Sequence, residues 1–417
     1  MRLITILNRV VNYKRFVVKS VNVIEPGIGE PEIEFGIAAR RNSKAVCSVC
    51  GQDAATYDHQ SERRFQFVPL WGMAVYFTYA MRRVNCGGCG VKVERVPWAD
   101  GKSPVCYSFK LYLAGWAKTL SWQEVAHRFG VNWYQVFEAV KFVVTWGLAH
   151  RNMSGVEAIG IDEIHQGKGH KYLTVVYQLC GPVRRLLYVG QGRKSEAVEG
   201  FFEQMGSGWC GGLRHICTDM WKAYLKAIKR YAPEAVHILD RFHVMKLLGD
   251  AVDRVRRKEA RELNEHGIGL LKGLKYVFLK RPENLTESQQ EALHGVMNKQ
   301  LRSVRAYLWK EKFQLFWGYS SPYHARRYLH RWCRGAMHSR LPEIKKFVKT
   351  VREHEPLILN WFKAKKAFSC GAVEGLNRKI NLVTRKSYGI RSPEVLEIAL
   401  FHTLGHLPEP PITHKFL

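Results

Sequence analysis

Two sets of residues have types and spacings suited to chemistry. The first is acidic. Asp162 interrupts the apolar run Ala158-Ile-Gly-Ile-Asp162-Glu-Ile-His165. A carboxylate inside a buried strand is costly unless a cation or a hydrogen-bond partner meets it. Asp219 closes a second apolar run, Leu213–Asp219, and Glu374 lies in Ala372-Val-Glu374-Gly-Leu-Asn377-Arg-Lys-Ile380. Glu374, Asn377, Arg378 and Asn381 recur at spacings that share one helix face. If the three carboxylates converge, they repel: two unit charges at 4 Å cost about 4 kcal/mol at an effective dielectric near 20. A hard divalent cation removes that cost, and Mg2+, or Mn2+, favours carboxylate and phosphate oxygens. Two such ions about 3.5–4 Å apart suit an in-line phosphoryl displacement.

The surrounding pattern supplies elements that could bring these acids together. Ala158–His165, Lys171–Gln178 and Arg185–Val189 read as three strands separated by glycine-containing turns. A helix over residues 194–205, the strand Leu213–Asp219, an amphipathic helix Met220–Tyr231 and a strand Ala235–Asp240 follow. The order β-β-β-α-β-α-β is that of a ribonuclease-H-like, three-layer α/β core. In that order the first and fourth strands are neighbours, so Asp162 and Asp219 should lie side by side. Glu163 alternates to the opposite strand face and ranks below Asp162. Asp240 reads as a helix cap or a supporting acid, and His243 as a hydrogen-bonding group before a catalytic one.

The second set is thiolate. Cys47-Ser-Val-Cys50 and Cys86-Gly-Gly-Cys89 are each followed by glycine, Gly51 and Gly90. Four thiolates in two such knuckles close a tetrahedral site, which points to one structural Zn2+ in a zinc ribbon. Phe65–Val68 and Val75–Ala80 read as strands between the knuckles. Cys106, Cys180, Cys210, Cys217, Cys333 and Cys370 have no partner at ligand spacing and read as core thiols. Downstream, Ser121-Trp-Gln-Glu124 is a capping box. Gly130 sits where a left-handed residue would end that helix, and Asn132 would cap the next. This is the pattern of a helix-turn-helix, with an ordinary helical hairpin as the plainer reading.

Composition agrees with a nucleic-acid partner. The 417 residues carry 65 Lys and Arg against 36 Asp and Glu, a formal charge of +29. Residues 241–350 alone carry 24 basic and 10 acidic residues, more than solubility requires. That stretch reads as mostly helical, with a cationic face at Asp253–Lys258 and an aromatic-rich segment from Trp309 to Trp332. Its rings read first as core and second as platforms for unpaired bases. No run of 18 uncharged apolar residues occurs, and the N-terminus lacks a signal-peptide pattern. Ten cysteines without such a signal suit a reducing, cytoplasmic and nucleoid-associated setting.

The motifs Gly160-Ile-Asp162-Glu, Thr218-Asp219-Met-Trp-Lys-Ala-Tyr224, Leu239-Asp240-Arg-Phe-His243-Val and Val373-Glu374-Gly-Leu-Asn377-Arg-Lys-Ile380, with Arg385 and Tyr388-Gly389 beyond, resemble the insertion-sequence transposases of the ISL-three group. The resemblance covers nearly the whole chain. It implies a DDE transposase in which Asp162, Asp219 and Glu374 bind the catalytic magnesium ions. It further implies a basic insertion between the fifth strand and the glutamate helix. The expected organisation is a zinc ribbon over 1–100 and a helix-turn-helix over 101–152. The catalytic core would take 153–244 and 366–405, with the helical insertion at 245–365. The expected DNA-contacting residues near the site are Asn377, Arg378, Lys379 and Arg385. The expected partners are double-stranded DNA, as terminal inverted repeats and target, and a second copy of the chain in a dimer or larger synapse. A non-catalytic DNA-binding regulator and a structure-specific nuclease share most of these features.

Overall fold

The computed structural model describes residues 3–25, 30–165, 172–192, 194–365, 371–386 and 392–411, with the side chains of 371–374 and 384–386 outside that description. The chain forms two compact units, Met1–Asn152 with Ile380–Leu417, and Met153–Lys379. No helix among the described residues is long and apolar enough to cross a membrane.

The first unit opens with α1 (Leu3–Val11), then β1 (Phe16–Ile24), β2 (Glu32–Ala39), β3 (Ala45–Val46), β4 (Asp53–Leu70), β5 (Met73–Cys86) and β6 (Gly90–Val93). These strands make one sheet in the order β1-β2-β5-β4-β3, with β6 also paired to β5. The strands expected at Phe65–Val68 and Val75–Ala80 are the inner parts of β4 and β5. The two run much further than their apolar residues suggest, as the outer half of β4 is exposed and charged. Trp71 and Gly72, both with positive φ, make the tight turn between them. Phe65 and Phe77 are fully buried against Trp98, and Phe35 is fully buried against Phe77. Beneath them, buried Glu94 accepts hydrogen bonds from the Tyr79 hydroxyl at 2.6 Å and from the Arg82 backbone N–H and guanidinium. Three helices follow: α2 (Tyr107–Trp116), α3 (Trp122–Arg128) and α4 (Trp133–His150).

The second unit begins with β7 (Ala158–His165), β8 (Tyr172–Gln178), β9 (Leu186–Gln191), α5 (Ser195–Cys210), β10 (His215–Thr218), α6 (Lys222–Tyr231) and β11 (Val236–Leu239). This matches the β-β-β-α-β-α-β order read from the sequence. The sheet order is β11-β10-β7-β8-β9, with β10 parallel to both β7 and β11 and the β7-β8-β9 meander antiparallel. One face is covered by α5 and α6. Ile159, Ile161 and Val176 pack there with Val198, Phe201, Phe202, Tyr224 and Ile228.

The basic segment is helical. It holds α7 (Arg241–Glu265), α8 (Lys275–Leu279), α9 (Glu287–Met297), α10 (Arg302–Gln314), α11 (Pro322–Met337), α12 (Pro342–Glu353) and α13 (Glu355–Lys363). Its core includes Phe313, Phe316, Trp317 and Trp332, and runs on into Ile238 and Leu239 of β11. Most of the aromatic-rich segment is therefore packed interior. Tyr323 is the clear exception, being 63% exposed. Two buried charges hold helix ends: Glu259 accepts from the Arg302 and Ser303 backbone N–H groups at the start of α10. Lys310 donates to the Phe278, Leu279 and Lys280 carbonyls at the end of α8.

The last helices are α14 (Gly371–Lys386) and α15 (Pro393–Leu404). The division between units falls inside α14, and α15 packs on α4 in the first unit, where Lys141 pairs with Glu394 at 2.5 Å.

Candidate functional site

The ladder between β7 and β10 decides where the aspartates go. It pairs His215 with Ala158, Ile216 with Ile159 and Cys217 with Gly160. Continuing that register by two residues sets Asp219 opposite Asp162. Neither position follows from local propensity; the parallel pairing of strands separated by a meander and a helix creates the juxtaposition.

Asp162 is 8% exposed, and both its oxygens are engaged. Oδ1 accepts the Glu163 backbone N–H at 2.8 Å, and Oδ2 accepts the Asn377 side-chain amide at 2.6 Å. Asn377 Oδ1 in turn accepts the Tyr177 hydroxyl at 2.8 Å. The direction of this chain is forced. An ionised carboxylate only accepts, so the amide must present its NH2 to Asp162 and its oxygen to Tyr177. Tyr177 is fully buried. It reaches Asn377 because it pairs with Gly160 across β8, on the same face as Asp162. Burial and the nearby Asp162 charge push its hydroxyl well above the ordinary tyrosine range, so it stays a donor. Sequence reasoning missed Tyr177. Its face relative to Asp162 depends on the β7–β8 register, which no local pattern reveals.

Asp219 follows β10, and its Oδ1 accepts the Trp221 backbone N–H at 2.9 Å. Burial raises its carboxyl above the usual range; the Trp221 N–H and His243 oppose that rise, and Asp162 reinforces it. The backbone before it is held by a short relay. The Thr218 hydroxyl donates to the Asp219 carbonyl at 2.8 Å, so it must accept from His237 Nε2, also at 2.8 Å. Burial, with His354 nearby, pulls His237 down to about 4 and keeps it neutral.

Asp240 caps α7 through Oδ1, which accepts the Phe242 N–H at 2.5 Å. Its other oxygen lies 3.6 Å from His243 Nε2, which is 3.7 Å from Asp162 Oδ1. His243 thus stands between two acids. Glu163 is on the opposite strand face, as alternation predicts, beside Tyr224 of α6.

The helix expected to carry the third acid is α14. Glu374 lies on it one turn before Asn377, and its side chain is outside the described residues, as is that of Arg385. The side chains of Arg378 and Lys379 are exposed. Asn377 ties this helix to the face of β7 that bears Asp162, opposite the face covered by α5 and α6.

The cysteine cluster is explicit. Cys47, Cys50, Cys86 and Cys89 place their sulfur atoms within 4.8 Å of one another, the only such group of three or more metal-binding side chains among the described residues. Cys50 and Cys86 sulfurs are 3.5 Å apart. Tetrahedral zinc with bonds of about 2.3 Å needs ligand separations near 3.8 Å, so the set fits the ion. Gly51 and Gly90 have φ of 74° and 71°, the left-handed turn each knuckle requires. Backbone N–H groups of Cys50 and Val49 draw the Cys47 thiol down to about 7. Cys106, Cys210, Cys217 and Cys333 are buried and form no disulfide, and Cys180 is half-buried; Cys370 is outside the described residues.

The Ser121 capping box is formed as read, and the expected Asn132 cap proves to be a second box. Ser121 accepts the Glu124 N–H at 3.2 Å while Glu124 accepts the Ser121 N–H at 2.7 Å, and Asn132 and Gln135 repeat the exchange. Gly130, with φ 61°, links α3 to α4.

The chain is similar to known proteins. The sequence profile of the transposase family of the ISL3 (ISL-three) group of DDE transposases matches residues 159–400. The transposase for insertion sequence element IS1557 of Mycobacterium tuberculosis is 28% identical over 433 aligned positions, spanning 96% of each chain. The transposase for insertion sequence element IS1001 of Bordetella parapertussis is 26% identical over 353 positions, 84% of this chain and 86% of that one. The profile runs from β7, which bears Asp162, through the basic helices and α14 into α15, and the chain belongs to the ISL3 group of DDE transposases.

Proposed function

We propose that this transposase cuts and joins DNA at a site formed by Asp162, Asp219 and Glu374 on a ribonuclease-H-like core. The observation that carries the reading is the β7–β10 register, which brings Asp219 beside Asp162, together with the Asn377 bond that holds the Glu374 helix on the same face. The donor set suits two Mg2+ or Mn2+ ions: a buried carboxylate raised by burial and by an acid beside it, as Asp219 is, would be stabilised by a hard cation. When bound, these ions supply Lewis-acid stabilisation to an in-line phosphoryl displacement.

The chain's own groups set the carboxylates in place. The Glu163 N–H and Asn377 amide orient Asp162, and the Trp221 N–H orients Asp219. Asp240 fixes the start of α7 and so holds His243 between itself and Asp162. The zinc ribbon and the α3–α4 helix-turn-helix would recognise the terminal inverted repeats, and Asn377, Arg378, Lys379 and Arg385 would contact DNA near the site. Joining two ends requires a dimer or larger synapse. We also propose the domain limits of the sequence reading, 1–100, 101–152, 153–244 with 366–405, and 245–365, although residues from Ile380 onward group with the first unit.

The test is Mg2+-dependent cleavage and strand transfer on duplexes carrying the element's own ends. Asp162→Asn, Asp219→Asn and Glu374→Gln should each retain end binding and lose cleavage by at least about 10³-fold, the scale of a lost electrostatic contribution at a reacting phosphate. Cleavage at the wild-type rate in any of the three would remove that residue from the site.

A further inference from the structure

Three of the four cations on the face expected at Asp253–Lys258 of α7 are ion-paired within the protein. Arg256 and Arg257 pair with Asp253 at 2.8 and 3.2 Å, and Lys258 pairs with Glu343 at 2.5 Å. The situation on α11 is the reverse. No acidic residue occurs between Glu311 and Glu343 in the sequence. Helix α11 buries Ala325, Leu329, Trp332, Cys333 and Ala336 on one side. Arg327, Arg331 and Arg334 recur at four- and three-residue intervals on the opposite side, and all three are exposed. None has an ion pair among the described residues, whereas Arg326, on the flank, pairs with Glu355 at 3.0 Å.

A solvated helix face ordinarily mixes charge signs, because like charges at these spacings repel. Three unpaired arginines in one stripe raise the energy of the free protein and lower that of a complex with a polyanion. From Arg327 to Arg334 the helix rises about 10 Å. One DNA strand presents a phosphate about every 3.4 Å along the duplex axis, so the stripe spans about three phosphates. The guanidinium fork matches phosphate oxygens in pairs.

We propose that Arg327, Arg331 and Arg334 form a sequence-independent grip on the phosphate backbone of duplex DNA, a second DNA-binding surface set in the helical insertion. It rests on the reading of the chain as a DNA-processing enzyme. It differs from base recognition in that a phosphate track holds DNA of any sequence.

The test uses the full chain and a 30-bp duplex of unrelated sequence, with affinity measured from 0.1 to 0.5 M KCl. The variant Arg327→Gln/Arg331→Gln/Arg334→Gln should reduce the slope of log K against log salt by about 2.7, at roughly 0.9 per lost phosphate contact. Extrapolated to 0.1 M salt, that is a loss of about 500-fold, shrinking towards 1 M. Arg326→Gln is the matched control and should leave the slope within about 0.3 of wild type, since its charge is already paired. Thermal melting of the triple variant should stay close to wild type, because all three side chains are exposed and surface substitutions of this kind usually change stability by within about 0.5 kcal/mol each. A slope unchanged in the triple variant overturns the grip. So does weaker binding with an unchanged slope, which reports a damaged fold. Wild-type protein that cuts its own ends while the triple variant keeps the full slope leaves the catalytic reading standing and removes this one alone.

Discussion

Replacing Asn377 by alanine tests whether the glutamate helix is held on the sheet by the Tyr177–Asn377–Asp162 chain. The 2.6 Å bond from Asn377 to Asp162 is charge-assisted, a class worth about 1.5–3 kcal/mol. Its loss also strands the Tyr177 hydroxyl, which is fully buried, at about 1–3 kcal/mol. Two effects reduce the sum. Asn377 is only half-buried, so water can take over part of its role, and alanine favours helix over asparagine by about 0.6 kcal/mol. The net expectation is a loss of about 2 kcal/mol in the docking of α14, a fall of roughly 30-fold in its closed-to-open ratio. Amide hydrogen exchange reads this directly in protein without DNA, with residues 375–379 compared against α6 as an internal reference. Tyr177→Phe alone should cost about 1 kcal/mol, the value of one neutral hydrogen bond. The double variant should fall short of the sum by about 1 kcal/mol, because removing the hydroxyl also removes the orphaned donor. Unchanged protection of α14 in Asn377→Ala, or strict additivity of the pair, would refute the chain as a restraint. It would return Asn377 to the simpler role of a DNA contact.

Two other perturbations address the first unit. Purified protein should contain one zinc per chain, and Cys86→Ala should abolish it; exchange should then rise at 47–52 and 86–94 while the inner parts of β4 and β5, packed around Trp98, stay protected. A metal-free preparation with the same protection at both knuckles would count against zinc. His402 is buried in α15, with Nε2 lacking a hydrogen-bond partner among the described residues, and burial followed by the Lys118 charge pulls it down to about 4. Because the folded value lies below the unfolded value near 6.5, the unfolded chain takes up the proton first, and stability falls as pH drops from about 6.5 to 4. The contribution lost over that window is about 3 kcal/mol. His402→Phe should flatten this part of the urea-midpoint profile, and a profile that keeps its slope would assign the acid sensitivity elsewhere.

The parts of the molecule legible in the sequence were those governed by short-range rules. Two Cys-x-x-Cys-Gly knuckles, the Ser121 and Asn132 caps, the Gly130 turn and the strand–helix order from Ala158 to Leu239 all depend on neighbours within a few residues. The structure contains each of them. Strand extent was less legible. The outer half of β4, Asp53 to Arg64, is polar and exposed, and it is a strand because β5 offers a ladder, not because of burial. The N-terminal strands β1 and β2 drew no expectation at all. Charge was the least legible. The run Asp253–Lys258 reads as a free cationic face, yet its own Asp253 and the distant Glu343 pair with three of its four cations and offset half of their charge. Helix α11 attracted attention for its rings, and its unpaired arginines emerge only once the core side of the helix is known.

The same distinction explains why Asp162 tolerates burial. In isolation a carboxylate at 8% exposure would be protonated or excluded. Here a backbone N–H and an amide stabilise its charge from two sides, while Asp219 beside it receives one N–H and is driven upward by burial. The two acids are therefore unequal: Asp162 has both oxygens hydrogen-bonded, while at Asp219 burial outweighs the Trp221 N–H, His243 and Lys246. A site finished by its own hydrogen bonds would have no need of a cation. In the proposed site that deficit falls on Asp219, at the end of the short parallel strand β10. Under the proposed two-metal reading, it is the imbalance that a bound cation would answer. Supplying Asp219 with a second internal donor would stabilise the fold and weaken the chemistry.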